Sequence, residues 1–395
     1  MKILSVVGAR PNFMKIAPFI RAIKKYNSSK KFPDEQIKHL LIHTGQHYDD
    51  RMSTEFFRQL EIPEADINLG VGSGTHGEQV GKTMIEFEKV VKTEKPDWIV
   101  VVGDVNAILA CSVTAKKEQI KCCHIEAGLR SGDMSMPEEI NRLVADRLSD
   151  LLLTPDKISS DNLRREGVPE NKIKLVGNIM IDTLEHNRAK AEKMTISAIF
   201  KENSINNSWK SYRSSELKEF IVVTMHRPSN VDRLEVLGPI IKFLTDEVCS
   251  KHPVLWPIHP RTRKMLEKFD LWEIVFNQSN LFLLESLGYF EMLKLNMHAK
   301  MMFTDSGGLQ EECTVLGTPC LTLRWNTERP ITLLENGGAS VLVGNNIDII
   351  KHEYLCTLNK NRVPIRPYLW DGNTADRCLK AILEKDEEEK EHAQV

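Results

Sequence analysis

The sequence predicts an α/β protein built from two doubly wound, Rossmann-like domains facing a cleft, and three observations carry that prediction. The chain has 395 residues, more than one hydrophobic core ordinarily organises. Through the first 180 residues, apolar runs of strand length alternate with helical patterns, the mark of a parallel sheet covered by helices on both faces. After a polar interruption, a second alternating series of the same kind begins.

The first strand is read at 2–7. After it, Ile16, Phe19, Ile20 and Ile23 recur at i, i+3, i+4 and i+7, one apolar face of a helix with Pro18 near its start. Further strands are read at 37–43, 97–102, 121–125, 149–153 and 173–177, then a helix at 180–194. Residues 195–218 are polar, with Asn-containing clusters and no sustained period, which predicts a linker or surface insertion. The second series has strands at 220–225, 253–258, 281–285, 300–304, 319–323 and 339–343. The domain limits expected are 1–180 and 181–367, with a C-terminal helix at about 368–395 packing back on the first domain. Its helical pattern covers 373–384, and the Lys-Asp-Glu-Glu-Glu-Lys-Glu that follows is expected to be a solvated, fraying end.

Composition narrows the partners. With 53 Lys and Arg against 55 Asp and Glu, the net charge is -2, which argues against a nucleic-acid or membrane-surface partner held by charge and favours a small-molecule ligand. The opening apolar segment 3–7 is too short for a signal peptide, and no segment reaches the roughly 18 uninterrupted apolar residues of a membrane span, so a cytoplasmic protein is expected. Eight cysteines at 111, 122, 123, 249, 313, 320, 356 and 378 form no C-x-x-C pair and read as buried thiols. His43 and His47 are four apart, but Gly45 lies between them after a strand, which is no helical metal pair; no metal is expected.

Two motifs are decoys. Gly72, Gly74 and Gly77 satisfy the dinucleotide spacing, but only the half-polar 66–69 precedes them instead of a buried opening strand. Gly81-Lys82-Thr83 resembles the end of a P-loop, yet His76 stands where its first glycine belongs. Both belong to a loop entering a helix that carries Val80, Met84, Phe87 and Val91.

The residues with chemistry sit where strands end. The first strand runs into Arg10 and Lys15, and two others run into Asp104 and Glu126. Parallel strands align their carboxyl ends, so these four are expected on one rim, where doubly wound folds bind ligands. If 66–69 is an edge strand, the strand ending at Asp104 is the fourth and flanks the first across the switch point. Glu138 and Glu139 add a third acidic site. A lone acid or cation after a strand is more often a cap or a solvated charge; three acidic sites on one rim are harder to explain that way. In the second domain a strand turns through Asp305-Ser306-Gly307-Gly308 into a helix whose first N–H groups attract phosphate. The helix dipole contributes only about 0.3–1 kcal/mol, so a diphosphate also needs cations. Candidates are Arg329 and the His226-Arg227 pair, with Glu312 one turn beyond Gly308 as an acceptor for ribose hydroxyls.

With those residues assembled, the chain resembles the UDP-N-acetylglucosamine 2-epimerase family of the non-hydrolysing type over nearly its full length. The matching pieces are GARPNFMK (8–15), GDVNA (103–107), HIEAGLRSGD (124–133), MPEEINR (136–142), TMHRPSN (224–230), DSGGLQEE (305–312) and NTERP (326–330). The resemblance implies a GT-B-like fold, a homodimer, and interconversion of UDP-GlcNAc and UDP-ManNAc, which supplies ManNAc-type sugars for polysaccharide synthesis; with no credible dinucleotide site in the chain, no redox cofactor is expected. It implies Lys15, Asp104, Glu126 and Glu138 as catalytic positions, and Arg10, His226, Ser306, Gly307, Gly308, Glu312 and Arg329 as UDP contacts. Gln46 and His47 match part of the allosteric substrate site of bacterial members. Met292 departs from the Phe that related sequences tend to carry.

The C2 hydrogen of an N-acetyl sugar is not beside a carbonyl, so a carboxylate alone does not remove it at useful rates. Departure of UDP builds positive charge at C1, loosens that proton and gives a 2-acetamidoglucal; UDP then adds back after protonation from the opposite face. Competing readings are a hydrolysing epimerase that releases ManNAc, a 2-epimerase of a diacetamido or uronic UDP-sugar, a glycosyltransferase, and a non-catalytic UDP-sugar sensor.

Overall fold

The computed structural model describes residues 1–8, 10–45, 60–205 and 219–393, without the side chains of 10, 11, 34, 392 and 393. The chain divides into two α/β units, Met1–Glu185 with Pro367–Val395, and His186–Arg366.

The first unit holds a seven-stranded sheet in the order β3-β2-β1-β4-β5-β6-β7. Its strands are β1 (Lys2–Val7), β2 (Lys38–His43), β3 (Ile67–Asn68), β4 (Trp98–Val102), β5 (Lys121–Ile125), β6 (Leu151–Thr154) and β7 (Ile173–Leu175). Every pairing is parallel, as continuous apolar runs such as the fully buried Trp98–Val102 require. Segment 66–69 does supply the edge strand β3, so β4 pairs with β1 (Ile3 opposite Trp98, Val6 opposite Val101) and the order reverses between them. The carboxyl ends of β1, β4 and β5 are thereby neighbours.

Helix Arg10–Ser28 buries Ile16, Phe19, Ile20 and Ile23, the face its spacing predicts. Pro18 lies inside it and has no N–H for the carbonyl of Met14; the Thr183 hydroxyl donates to that carbonyl instead, which keeps the interruption satisfied. Of the glycine-rich decoys, Gly72 and Gly74 precede Thr75, the N-cap of helix His76–Glu94, where Thr75 and Glu78 form a reciprocal capping box, while Gly77 and Gly81-Lys82-Thr83 lie within the helix.

The second unit holds a six-stranded parallel sheet ordered β10-β9-β8-β11-β12-β13. Its strands are β8 (Ile221–Thr224), β9 (Val254–Pro257), β10 (Leu281–Leu284), β11 (Met301–Thr304), β12 (Cys320–Thr322) and β13 (Ser340–Leu342). Here too the order reverses between the first strand and its neighbour across the switch, β8 and β11.

Two expectations are corrected. Inside the supposed linker, Ile196–Asn203 is a helix: Thr195 caps it by accepting from the N–H of Ala198 at 3.2 Å, and Ile199 and Phe200 are buried. Ile196, Ile199 and Phe200 stand at i, i+3 and i+4, but eight residues are too short a stretch to sustain a period. The acidic tail does not fray after 384 either, since the last helix runs over Thr374–Ala393. Asp386 within it is 3% exposed and accepts from Trp98 Nε1 at 3.1 Å and Lys121 Nζ at 2.9 Å. Of the eight cysteines, Cys356 is exposed and the other seven are buried, all as free thiols. No helix among the described residues is long and apolar enough to cross a membrane.

Candidate functional site

On the rim of the first sheet, helix Arg10–Ser28 brings Lys15 to Glu126 at the end of β5. Their side chains form an ion pair with Lys15 4% and Glu126 3% exposed. Gly103, just past β4, lies against this pair with φ +76°: a Cβ there would come 3.1 Å from Lys15 Nζ and 3.2 Å from Asn12 Nδ2. The left-handed backbone favours glycine, and a side chain there would need Lys15 and Asn12 to give by a few tenths of an ångström. Asn12 ties the same turn down, donating to the Val102 carbonyl at 2.6 Å and accepting from Gly8 N at 3.3 Å. Glu126 is itself left-handed, φ +74°, a conformation that costs a non-glycine residue on the order of 1 kcal/mol or more. The N–H groups of Glu126 and Ala127 hold it there by sharing the Leu153 carbonyl at 3.0 and 3.1 Å.

Asp104 occupies the same rim and accepts from Arg142 Nη1 at 2.6 Å. Arg142 is 1% exposed and is bound on its other side to Glu139 at 3.0 and 2.6 Å. Burial works against an ionised Glu139, but the N–H of Ser131, the Arg142 guanidinium and the N–H of Gly132 outweigh it and lower its pKa. The two adjacent acids therefore part company: Glu139 is an internal counter-ion, whereas Glu138 is exposed in the first turn of helix Pro137–Leu148, with no hydrogen bond or ion pair to the described residues. Reasoning from sequence missed Arg142, although the Glu139-to-Arg142 spacing of three within a helix was visible. It also missed His124 and Asp146, which are buried beneath this rim.

In the second unit Asp305 is the hub. Fully buried, it accepts from the N–H of His226 at 2.9 Å, the N–H of Arg227 at 2.8 Å and Asn230 Nδ2 at 3.0 Å. Burial opposes its ionisation, but hydrogen bonding and charge from His226, with the N–H of Arg227, hold its pKa below the ordinary value. The His226 ring, 43% exposed, sets Nδ1 2.8 Å from Asp305 Oδ1, which leaves Nε2 as the nitrogen it offers to a ligand. Ser306 occupies the N-cap of helix Gly307–Leu316 without capping it by its side chain, which leaves Ser306, Gly307 and Gly308 half-buried at the helix start.

Arg329 reaches this helix start: a Cβ on Gly307 would meet Arg329 Nη1 at 2.6 Å and Glu328 Oε1 at 2.7 Å. It is not an open surface cation, however. Only 5% exposed, it pairs with Glu311 at 2.8 Å and with Glu328, which also binds Arg324. An anion arriving here meets an arginine whose charge is already balanced. Glu312 is likewise buried, beside Tyr289 and Asn296, and burial pushes its pKa up to about 7. The side chain of Arg10 and the residues Gln46 and His47 lie outside what the structure describes.

The Glu312 shift has a stability consequence. A carboxyl whose folded pKa of about 7 exceeds its ordinary 4.5 stabilises the fold fully below pH 4.5 and loses that contribution as pH rises through 7. Glu312→Gln keeps the shape without the charge. Its unfolding free energy relative to wild type should rise between pH 4 and 8, by up to about 3 kcal/mol. Urea titrations of both proteins at the two pH values read the difference, and parallel pH dependence would show that Glu312 is not strained by burial.

A family profile described as UDP-N-acetylglucosamine 2-epimerase matches residues 30–383. The chain is similar to the UDP-N-acetylglucosamine 2-epimerase of Methanocaldococcus jannaschii, with 40% identity over 385 residues, 97% of this chain and 99% of that protein. It is 36% identical to the UDP-2,3-diacetamido-2,3-dideoxy-D-glucuronate 2-epimerase of Pseudomonas aeruginosa over 387 residues, covering 98% and 100% of the two chains. The crystal structure of the M. jannaschii UDP-GlcNAc 2-epimerase in complex with UDP-GlcNAc and UDP superposes with a TM-score of 0.85 over 97% of this chain and 100% of that one.

Proposed function

Because this chain belongs to the UDP-N-acetylglucosamine 2-epimerase family, a group of isomerases with a GT-B-like pair of α/β domains, we propose that it interconverts UDP-GlcNAc and UDP-ManNAc by eliminating UDP and adding it back. The observation that carries the reading is the buried Lys15–Glu126 pair on the same rim as Asp104, in one unit, together with the Ser306–Gly308 helix start and His226 in the other.

In this reading the helix-start N–H groups and His226 Nε2 receive the diphosphate, as neutral and charge-assisted donors worth about 1–3 kcal/mol each. Arg329 follows by exchanging part of its hold on Glu328 or Glu311 for phosphate oxygens. The C1–O bond breaks with its electron pair leaving on UDP, and a carboxylate takes the C2 proton, which leaves 2-acetamidoglucal. A second carboxylic acid returns a proton to the opposite face of C2, and UDP re-forms the C1–O bond. Asp104, Glu126 and Glu138 are the three acids for these two tasks. Lys15 orients the sugar and stabilises negative charge beside Glu126.

In heavy water both epimers should acquire deuterium at C2, read as loss of the C2–H proton signal. Protium retained at C2 through many turnovers would rule out proton exchange through these acids. The similarity to the diacetamido-glucuronate epimerase makes that UDP-sugar the second substrate to assay, and product analysis for free ManNAc tests the hydrolysing outcome. The homodimer implied by the resemblance is read by sedimentation.

A further inference from the structure

We propose that His124 and Asp146 are a positioning pair that holds Asp104 and Glu126 in one rigid frame; this rests on the epimerase reading, in which those two carboxylates carry protons. His124 lies on β5 two residues before Glu126, which follows the end of the strand, and is fully buried. Its Nδ1 is 2.6 Å from Asp146 Oδ1 and its Nε2 is 2.8 Å from the Gly103 carbonyl oxygen. The Asp146 carboxylate and the Gly103 carbonyl are both acceptors, so each ring nitrogen faces one.

Each end of the pair grips the backbone next to one carboxylate. The Gly103 carbonyl belongs to the planar peptide group that leads directly into Asp104, so fixing that oxygen fixes the plane from which Asp104 departs. At the other end, Asp146 Oδ2 accepts from the N–H of Gly128 at 3.0 Å and from Arg130 Nη1 at 2.7 Å. Gly128, φ +82°, closes the turn that carries the left-handed Glu126, and its space is filled by the Ser159 carbonyl, 2.3 Å from where a Cβ would stand. Arg130 is in turn clamped bidentately by Glu166 at 2.8 and 2.7 Å. Burial alone would raise the Asp146 pKa, but His124 and Arg130 reverse that and keep it ionised. A buried ion pair adds little net stability over apolar replacements. Its two grips on these backbone segments make it a device for preorganisation.

Asparagine places its amide nitrogen about where Nδ1 sits, and glutamine about where Nε2 sits. His124→Asn therefore keeps the Asp146 bond and drops the Gly103 bond, while His124→Gln does the reverse. With the protein otherwise intact, His124→Asn should lose about 10–100-fold in kcat with KM within about twofold, and should release a larger share of free glycal and UDP per turnover. His124→Gln, which keeps the Gly103 bond but cuts the link to Asp146, should also lose kcat, by about 10-fold. Folded, UDP-binding protein is counted by titration, so kcat refers to native molecules only. Near-wild-type kcat in either variant, or a kcat loss in His124→Asn with no rise in released glycal, overturns the proposal. Should wild type convert no UDP-sugar at all, the epimerase reading fails instead.

Discussion

Glu126→Gln should lower turnover by about 10²–10⁴-fold while UDP affinity stays near wild type, because the variant removes a proton-transfer group from the first unit and leaves the helix start and His226 of the second unit untouched. Gln matches Glu in shape, so the left-handed turn at φ +74° is preserved. What changes is charge: Lys15, only 4% exposed, is left without its carboxylate, and breaking a buried pair from one side costs about 3–5 kcal/mol. The loss of turnover therefore has two sources, chemistry and fold, and a second variant separates them. Lys15→Met/Glu126→Gln removes the stranded cation and should recover most of the stability but none of the turnover. Calorimetric UDP binding, thermal unfolding and NMR of the anomeric protons measure the three quantities. Near-normal turnover in Glu126→Gln would make this carboxylate a structural counter-ion only.

Asp305→Ala should have the second-largest effect, this time on binding. The carboxylate organises two backbone N–H groups, the Asn230 amide and the His226 ring. Removing it strands several buried or half-buried donors at about 1–3 kcal/mol each and frees the His226 ring to rotate. We expect about 3–5 kcal/mol lost from unfolding of the second unit and UDP binding weakened at least about tenfold. Denaturation followed with and without UDP reads both. Unchanged affinity would mean that His226 orientation plays no part in holding the nucleotide.

Glu138 and Glu139 show where reading residues in order reaches its limit. The pair are adjacent in sequence and chemically alike, yet Glu139 is 2% exposed and bonded to Arg142, while Glu138 faces outward. Helical rotation of about 100° per residue separates them, and only the position of the helix on the sheet says which one turns inward. Arg329 is a similar case: its nearness to the glycine turn was legible, but its two carboxylate partners were not, since Glu311 reads in sequence as an ordinary helix residue. The helix at Ile196–Asn203 escaped because eight residues carry too little periodicity.

The two α/β series, the reversal of strand order and the rim on which Lys15, Asp104 and Glu126 collect are legible along the chain, because each depends on local period and on the alignment of parallel strand ends. Tertiary structure alone decided which charges are buried against which. Lys15 finds Glu126 across 111 residues and Asp386 reaches Trp98 across 288. Taking a charge out of water is tolerated only where a partner is delivered to within hydrogen-bonding distance, and that delivery depends on packing between elements far apart in the chain.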